Sequence, residues 1–203
     1  MLAMPAREFD PTLRLRALAD SLLGPGSCLP EISYPSDSLM VFLEMLGRWS
    51  LRVDLVSPGC EVELFERHIL DSYAALLMLF RYYPKLFEAG PIVDVGSGAG
   101  LPGLIFALAL PKSQVVLLEP REKRVLFLKE VVRKLELSNV SVVRERMDDV
   151  SQEALFSPSL LLCRALGLEQ EYLNFSMKVL SPGGFSVQLL GPSWQAPSKS
   201  PDG

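Results

Sequence analysis

The sequence contains little histidine and little cysteine, and this excludes several kinds of site. His68 is the single histidine among 203 residues, so a metal centre built from several histidines is excluded. The three cysteines, Cys28, Cys60 and Cys163, are an odd number at wide spacing, which fits neither a disulfide framework nor a zinc site. We therefore predict a protein without a bound metal, in a reducing compartment.

Long hydrophobic runs are also absent. Residues 1–10 lack the apolar core of a signal peptide, and no apolar run reaches the length that crosses a bilayer. Hydrophobic residues make up 49% of the chain and charged residues 22%, a balance typical of a globular protein rather than a disordered one. We predict a cytoplasmic protein, monomeric and independent of membranes.

The chain has no excess of positive charge. Its formal net charge is −4, which argues against broad, non-specific binding of nucleic acid. A local basic patch is still compatible with this total, although each candidate could equally be an ordinary surface charge. The candidates are Arg48, Arg52, Arg67, Lys123, Arg124, Arg144, Arg146 and Arg164.

A glycine-rich stretch, residues 92–103, stands out among the segments that are present. A short β-branched run containing Asp94 is followed by Gly96, Gly98 and Gly100 at alternate positions. Glycine lets the backbone approach a ligand closely, and the N–H groups at the start of the next helix can face that ligand. In a doubly wound sheet, such a loop lies at the carboxyl end of the first strand, where ligands bind.

Two classes of cofactor are bound by loops of this kind. Residues 98–103 fit the dinucleotide pattern G-x-G-x-x-G, whereas Asp94-x-Gly96-x-Gly98-x-Gly100 resembles the first motif of class I methyltransferases, which bind S-adenosylmethionine. Glu119 ends the next apolar run, about twenty residues on, where an acid accepts ribose hydroxyls in either class. The fuller motif favours a methyltransferase, and a dinucleotide-dependent oxidoreductase is the alternative.

The rest of the chain divides into a helical part and an alternating part. Apolar spacing predicts helices at 7–23, 36–50 (with Ser36 as the N-cap) and 61–82. From residue 91, strands and helices alternate, which predicts a parallel sheet with helices on both faces. The predicted strands are 91–95, 114–119, 139–144, 159–164 and 184–190, and the predicted helices are 101–110, 121–136, 148–155 and 168–180.

These elements predict an α/β fold of the class I methyltransferase (Rossmann-like) type, with a doubly wound and mostly parallel sheet. Residues 1–90 form an N-terminal helical cap in this prediction, and residues 91–191 form the cofactor-binding domain. Residues 192–203 are rich in serine and proline, and we expect a disordered tail there.

Five motifs occur in one order and point to a single family. They are Trp49–Ser57, Arg67-His-Ile-Leu-Asp-Ser72, Asp94–Gly103, Lys123-Arg124-x-x-Phe127-Leu128 and Arg164-Ala165. This series resembles the glucose-inhibited division protein B family, the bacterial 16S rRNA guanine-N7 methyltransferases, over roughly residues 36–191. The resemblance implies that S-adenosylmethionine is the cofactor and that 16S ribosomal RNA, or the 30S subunit containing it, is the partner.

The resemblance also implies a role for individual residues. His68, Asp71 and Arg164 would belong to the catalytic centre, and Arg67 and Arg124 would bind the RNA substrate. The implied cofactor contacts are Asp94, Gly96, Gly98, Gly100, Leu101, Glu119, Met147, Asp148 and Arg164.

Simpler explanations exist for some of these residues. Arg67 and Asp71, four residues apart on a helix, could form a surface ion pair, His68 could be a packed helix residue, and Met147 could fill the core. Catalysis by a base is not required in any case, because guanine N7 carries a free lone pair. In-line positioning and a polar environment would then carry the reaction.

The sequence departs from the family pattern near the expected RNA surface. Asp54, Val56 and Leu190 stand where the family usually has asparagine, threonine and lysine. An added negative charge and a lost positive charge would both weaken phosphate contacts. In addition, no β-patterned run follows Gly191, so we expect the last antiparallel strands of the family to be missing. The second alternative is therefore a relative that binds the cofactor but has lost or altered its activity.

Overall fold

A parallel sheet forms the centre of the computed structural model, which describes residues 9–26, 29, 31–57, 59–150, 155, 157–164 and 169–190. Its order is β3-β2-β1-β4-β5, and every neighbouring pair is parallel. This order is the predicted doubly wound arrangement, with β1 at the centre. The strands are β1 (Ile92–Val95), β2 (Val115–Leu118), β3 (Val140–Val143), β4 (Leu160–Arg164) and β5 (Phe185–Leu189).

Helices precede the sheet and alternate with its strands. They are α1 (Pro11–Leu23), α2 (Ser36–Ser50), α3 (Glu61–Leu64), α4 (Leu70–Tyr82), α5 (Leu86–Ala89), α6 (Gly103–Ala109), α7 (Glu122–Lys134) and α8 (Glu169–Val179).

Three details of the helices differ from the prediction. A π-helical turn, Phe65–Ile69, joins α3 to α4, so the predicted helix over 61–82 is not α-helical throughout. Ser36 is the first residue of α2 rather than its N-cap, because Pro35 occupies the capping position. The short helix α5 was not predicted. Half of the predicted helix at 148–155, residues 151–154, and the whole predicted tail at 192–203 lie outside the described residues.

The N-terminal helices cover one face of the sheet. Apolar side chains of α2, among them Phe42 and Leu46, belong to the same buried cluster as Ile92 of β1 and Leu117 of β2. Alternate residues of the same strands point to the opposite face of the sheet, where Val93 of β1 and its neighbours pack against α8. Helices therefore lie on both faces, as predicted, and the N-terminal helices share a core with the sheet rather than forming one of their own.

Asp94 connects β1 to the helix that follows the glycine loop. Its side chain is fully buried, and its Oδ2 accepts a hydrogen bond of 3.0 Å from the amide of Gly103, the first residue of α6. Its Oδ1 has no partner. A Cβ on residue 103 would lie 2.7 Å from Oδ2, so this approach of helix to strand requires glycine.

The buried position of Asp94 alters its ionisation. Desolvation raises the pKa of Asp94 from its ordinary 3.8 to about 7, and the nearby Glu119 charge acts in the same direction. The hydrogen bond from Gly103 opposes this rise without cancelling it. The carboxyl group is therefore poised between its neutral and ionised forms near neutral pH.

We expect Asp94→Asn to change the pH dependence of stability. The folded chain keeps the Asp94 proton up to about pH 7, whereas the unfolded chain loses it near the ordinary pKa of 3.8. Wild-type stability should therefore fall as the pH rises between these values. Asparagine does not ionise, and its carbonyl can still accept the Gly103 bond. Between pH 4 and pH 8, the free energy of unfolding of the variant should gain on that of the wild type by roughly 4 kcal/mol.

Urea denaturation of both proteins at the two pH values measures this gain, because other titrating groups contribute equally to both. A difference between variant and wild type that stays constant with pH would contradict the assignment to Asp94.

Candidate functional site

A cavity of about 630 Å³ lies at the carboxyl ends of the central strands. This is the position at which ligands bind to doubly wound sheets, and the volume suits a small organic cofactor. Both the sheet and the N-terminal helical part contribute to its walls. The lining consists of residues 54–57, His68, 95–99, Leu101, 118–121, Arg124, 145–148 and Arg164.

The glycines of the loop after β1 have different surroundings. Gly98, with φ of +55°, borders the cavity, and a Cβ there would meet only Arg124 Nη1, at 3.5 Å, and the Gly96 carbonyl. Gly100, with φ of +82°, faces the interior, where a Cβ would lie 2.2 Å from Leu104. Gly98 therefore keeps space free on the cavity side, whereas Gly100 permits close packing of α6.

Glu119 ties the end of β2 to the glycine loop. Its side chain is 2% exposed, its Oε2 accepts the amide hydrogen of Gly98 at 2.9 Å, and its Oε1 accepts that of Arg121 at 2.9 Å. A carboxylate offers about four acceptor positions, so both oxygens retain capacity for a ligand. Glu119 can therefore fix the loop and accept hydroxyl groups from the cavity at the same time.

Met147 and Asp148 follow β3 and line the cavity beside Glu119. Met147 is half-buried and packs against the cluster on the α8 face of the sheet. Asp148 is exposed, with its Oδ2 3.9 Å from Arg146. An apolar surface next to a hydrogen-bond acceptor suits a purine ring that carries an amino group.

Arg164, at the end of β4, binds the π-helical turn. Its Nη2 donates to the Arg67 carbonyl at 2.9 Å and to Asp71 Oδ2 at 3.2 Å, and its Nη1 donates to the His68 carbonyl at 3.3 Å. Arg67 pairs with Glu63 instead, at 3.3 Å, so the suggested Arg67–Asp71 ion pair is wrong. Arg164 therefore joins the sheet to the helical part at the edge of the cavity.

His68 lines the cavity from the π-helical turn. Its Nε2 is buried and has no hydrogen-bond partner. Burial lowers the pKa of His68 below its ordinary 6.5, as do the charges of Arg164 and Arg67, while Asp71 raises it. The imidazole is therefore neutral at neutral pH.

Arg124 holds the loop of residues 54–57 against the glycine loop. Its Nη2 donates to the Asp54 carbonyl at 2.7 Å, and the Asp54 carboxylate lies 3.6 Å from the same nitrogen. The Asp54 side chain is 95% exposed, so the backbone hydrogen bond is the stronger part of this contact.

The structure brings together most, but not all, of the residues predicted for the site. Gly96, Gly98, Leu101, Glu119, Met147, Asp148, Arg124, His68 and Arg164 line the cavity. Asp94, Gly100, Arg67 and Asp71 do not line it. The binding and catalytic roles of both groups of residues remain predictions.

Three of the eight candidates for a basic patch line the cavity, namely Arg124, Arg146 and Arg164. The patch itself remains a prediction. Arg121 also lines the cavity and was missed. Its position directly after the Glu119-Pro120 end of β2 was the available signal.

Metal ligands and membrane spans were also sought in the described part of the chain. No group of three or more His, Cys, Asp or Glu side chains there could hold a metal ion. Within the same residues, every helix is too short or too polar to span a bilayer.

Comparison with known proteins identifies relatives along most of the chain. The Ribosomal RNA small subunit methyltransferase G of Desulfotalea psychrophila is 37% identical over 170 residues, which is 81% of this chain and 74% of the relative. The protein of the same name from Nitrosomonas eutropha is 38% identical over 121 residues, 59% of this chain and 52% of the relative. The matched part of the chain thus spans between about half and three quarters of these two relatives.

A solved structure supports the fold. The structure of a Klebsiella pneumoniae protein assigned as an O-methyltransferase aligns with a TM-score of 0.54 at 18% identity, covering 87% of this chain and 73% of that one. The predicted class I methyltransferase fold is confirmed. The family model described as rRNA small subunit methyltransferase G matches residues 36–196. As its motifs predicted, the chain belongs to the rRNA small subunit methyltransferase G family.

Proposed function

We propose that the protein transfers the methyl group of S-adenosylmethionine to N7 of a guanine in 16S ribosomal RNA. The observation that carries the proposal is Glu119, a carboxylate that is bound to the glycine loop and keeps acceptor capacity toward the cavity. Membership of the family supports an rRNA substrate. The observed site supports a nucleoside cofactor.

The residues present fit S-adenosylmethionine. Glu119 would accept the ribose hydroxyls, Met147 would contact the adenine ring, and Asp148 would accept its amino group. Gly98 leaves the cavity free on the side of the glycine loop. Asp94 does not line the cavity, and it would support cofactor binding by holding the glycine loop through its bond to Gly103.

The chain's own residues have to position the cofactor and the base and to exclude water. None of them has to abstract a proton. S-adenosylmethionine supplies an electrophilic methyl group on a sulfonium, and guanine N7 needs no deprotonation. Arg164 is bound to two backbone carbonyls and Asp71, so it acts by holding the π-helical turn at the cavity edge. A neutral His68 avoids adding a positive charge beside a base that becomes cationic.

The two alternatives have unequal support. The family comparison favours a methyltransferase over a dinucleotide-dependent oxidoreductase. The second alternative, a relative that binds the cofactor without methylating RNA, is distinguished by an assay of methyl transfer to RNA. Asp54 and Leu190, the residues that suggested it, are both exposed, and Asp54 lies at the cavity mouth.

The proposal is tested by transfer of radiolabelled methyl from S-adenosylmethionine to 30S subunits and to free 16S rRNA. We expect wild-type protein to produce N7-methylguanine, detected by chain cleavage after borohydride reduction. Gly98→Ala should lose at least about tenfold in cofactor affinity and activity, because its Cβ enters the cavity.

Gly26→Ala is the matched control. Gly26 also has a positive φ, of +73°, but no atom lies within 4 Å of a Cβ there, and it does not line the cavity. Both variants therefore carry similar backbone strain, and only one obstructs the site. An equal loss of cofactor affinity in both variants would show that backbone strain causes it. If the wild-type protein binds labelled cofactor but does not methylate RNA, the non-catalytic alternative is favoured.

Glu119→Ala should weaken S-adenosylmethionine binding by roughly 1–3 kcal/mol, because charge-assisted hydrogen bonds to the ribose are lost. Calorimetry measures the affinity, and competition by adenosine should weaken in parallel. Glu145→Ala provides the comparison. Glu145 lines the same cavity, and its carboxylate makes no hydrogen bond to the described residues. An effect on competition by methionine alone would contradict the ribose assignment.

Asp54 and Leu190, two exposed residues that depart from the family pattern, should lower the affinity for RNA. Asp54→Asn keeps the backbone carbonyl that binds Arg124 and removes only the exposed charge, and Leu190→Lys adds a cation at a residue that is 44% exposed. The double variant should bind 16S rRNA severalfold more tightly at low salt, with the gain shrinking as salt increases. Filter binding across a salt series measures this. Cofactor affinity should stay unchanged, and a gain independent of salt would argue against an electrostatic origin.

A further inference from the structure

The cavity wall presents its groups in an order that matches the parts of the cofactor. Met147 and Asp148 follow β3, Glu119 follows β2 and the glycine loop follows β1, and these strands are neighbours in the order β3-β2-β1. Given the proposed function, on which this inference rests, adenine would lie at β3 and ribose at β2. Adenine and the amino-acid end of S-adenosylmethionine are attached to opposite sides of the ribose. The amino-acid end would therefore extend over the glycine loop.

Gly98, in this loop, is close to both an acidic and a basic side chain. Its amide donates a hydrogen bond of 2.9 Å to Oε2 of Glu119, the ribose acid. Nη1 of Arg124 lies 3.5 Å from the position that a Cβ on residue 98 would occupy. Arg124 also lines the cavity. A cofactor that extends from Glu119 past Gly98 therefore comes close to the guanidinium of Arg124.

The guanidinium of Arg124 is mostly buried, and its orientation is fixed by the protein. The Arg124 side chain is 20% exposed, compared with 67% for Arg146, another arginine of the cavity. Its Nη2 donates to the Asp54 carbonyl at 2.7 Å. Because the guanidinium is rigid and planar, this bond also fixes where Nη1 lies. A mostly buried and oriented guanidinium suits an acceptor inside the cavity better than a phosphate outside it.

The charges of the cofactor decide which of its groups can meet this arginine. S-adenosylmethionine carries a positive sulfonium, a positive ammonium and a negative α-carboxylate. A mostly buried guanidinium repels either cation with little screening, whereas it attracts the carboxylate and donates charge-assisted hydrogen bonds to it. Arg164, which is similarly buried, already binds two backbone carbonyls and Asp71. The carboxylate is therefore the group of the cofactor that matches Arg124.

We infer that Arg124 determines cofactor specificity, because its Nη1 binds the α-carboxylate of S-adenosylmethionine. The cavity then selects an adenosine that carries a complete amino acid over one that lacks the carboxylate. Arg124 combines two functions in this arrangement, since Nη2 holds the loop of residues 54–57 and Nη1 holds the cofactor. This role differs from the RNA binding that the family resemblance implies for the same residue.

The test removes the carboxylate from the cofactor and the guanidinium from the protein, separately and together. Decarboxylated S-adenosylmethionine keeps the adenosine, the sulfonium and the amino group. Calorimetry measures the affinity of wild type and of Arg124→Gln for both compounds. We expect wild type to bind S-adenosylmethionine at least about tenfold more tightly than the decarboxylated compound, and Arg124→Gln to show no such preference.

Arg121→Gln is the matched control. Arg121 also lines the cavity, but its side chain is exposed, and the substitution keeps the backbone amide that binds Glu119. This variant should keep the wild-type preference.

The ratio of the two affinities separates carboxylate binding from a purely structural role of Arg124. Arg124→Gln also removes the bond to the Asp54 carbonyl, and a loosened loop of residues 54–57 would weaken the binding of both compounds alike. Arg124→Met, which keeps the apolar stem of the side chain, replaces Arg124→Gln if the latter does not fold.

Each contrary outcome identifies what has failed. If wild type binds both compounds equally well, or if Arg124→Gln keeps the wild-type preference, the inference is overturned while the proposed function stands. A loss of affinity for 16S rRNA in Arg124→Gln, with an unchanged cofactor preference, supports the RNA role and overturns the inference. An equal loss of preference in Arg121→Gln shows a general effect of charge and also overturns it. If wild type binds neither compound, the proposed function fails and the inference fails with it.

Discussion

A single buried carboxylate sets the geometry on which the site depends. Asp94 lies near the end of the central strand β1 and binds the first amide of α6, so the glycine loop between them has both ends fixed. Keeping a carboxyl group fully buried is costly, and the rise in its pKa records that cost. Glu119 fixes the same loop from the cavity side through Gly98. Two acidic residues, one in β1 and one directly after β2, thus hold the backbone in a conformation that only glycine adopts readily.

Arginines at the cavity act mainly on the protein itself. Arg164 donates to the carbonyls of residues 67 and 68, and Arg124 donates to the carbonyl of residue 54. Each contact joins a helix or strand of the sheet region to the N-terminal helical part. The guanidinium groups therefore assemble the walls of the cavity, and part of their hydrogen-bonding capacity is already used before any RNA approaches.

The sequence was sufficient to predict the fold and the side of the cavity that contains Glu119. Strand bounds, the parallel sheet and the Glu119 acid followed from short apolar runs and turn residues, which are local signals. The π-helical turn and the partners of Arg164 were not predictable, because they depend on residues almost a hundred positions apart meeting in space. The interior position of Gly100 and the buried state of Asp94 likewise depend on packing by α6, which spacing along the chain does not reveal.

The shared core also has a consequence for the order in which the chain folds. Helices α1, α2 and α4 are synthesised first, yet the apolar faces they bury belong to a cluster completed by β1, β2 and β4. The central strand pairs Ile92 with Leu160, so the sheet cannot close until most of the polypeptide has been made. Non-local pairing of this kind slows folding and leaves apolar helix surface exposed meanwhile. A helical bundle of the same length, whose contacts are local, would close its core earlier in synthesis.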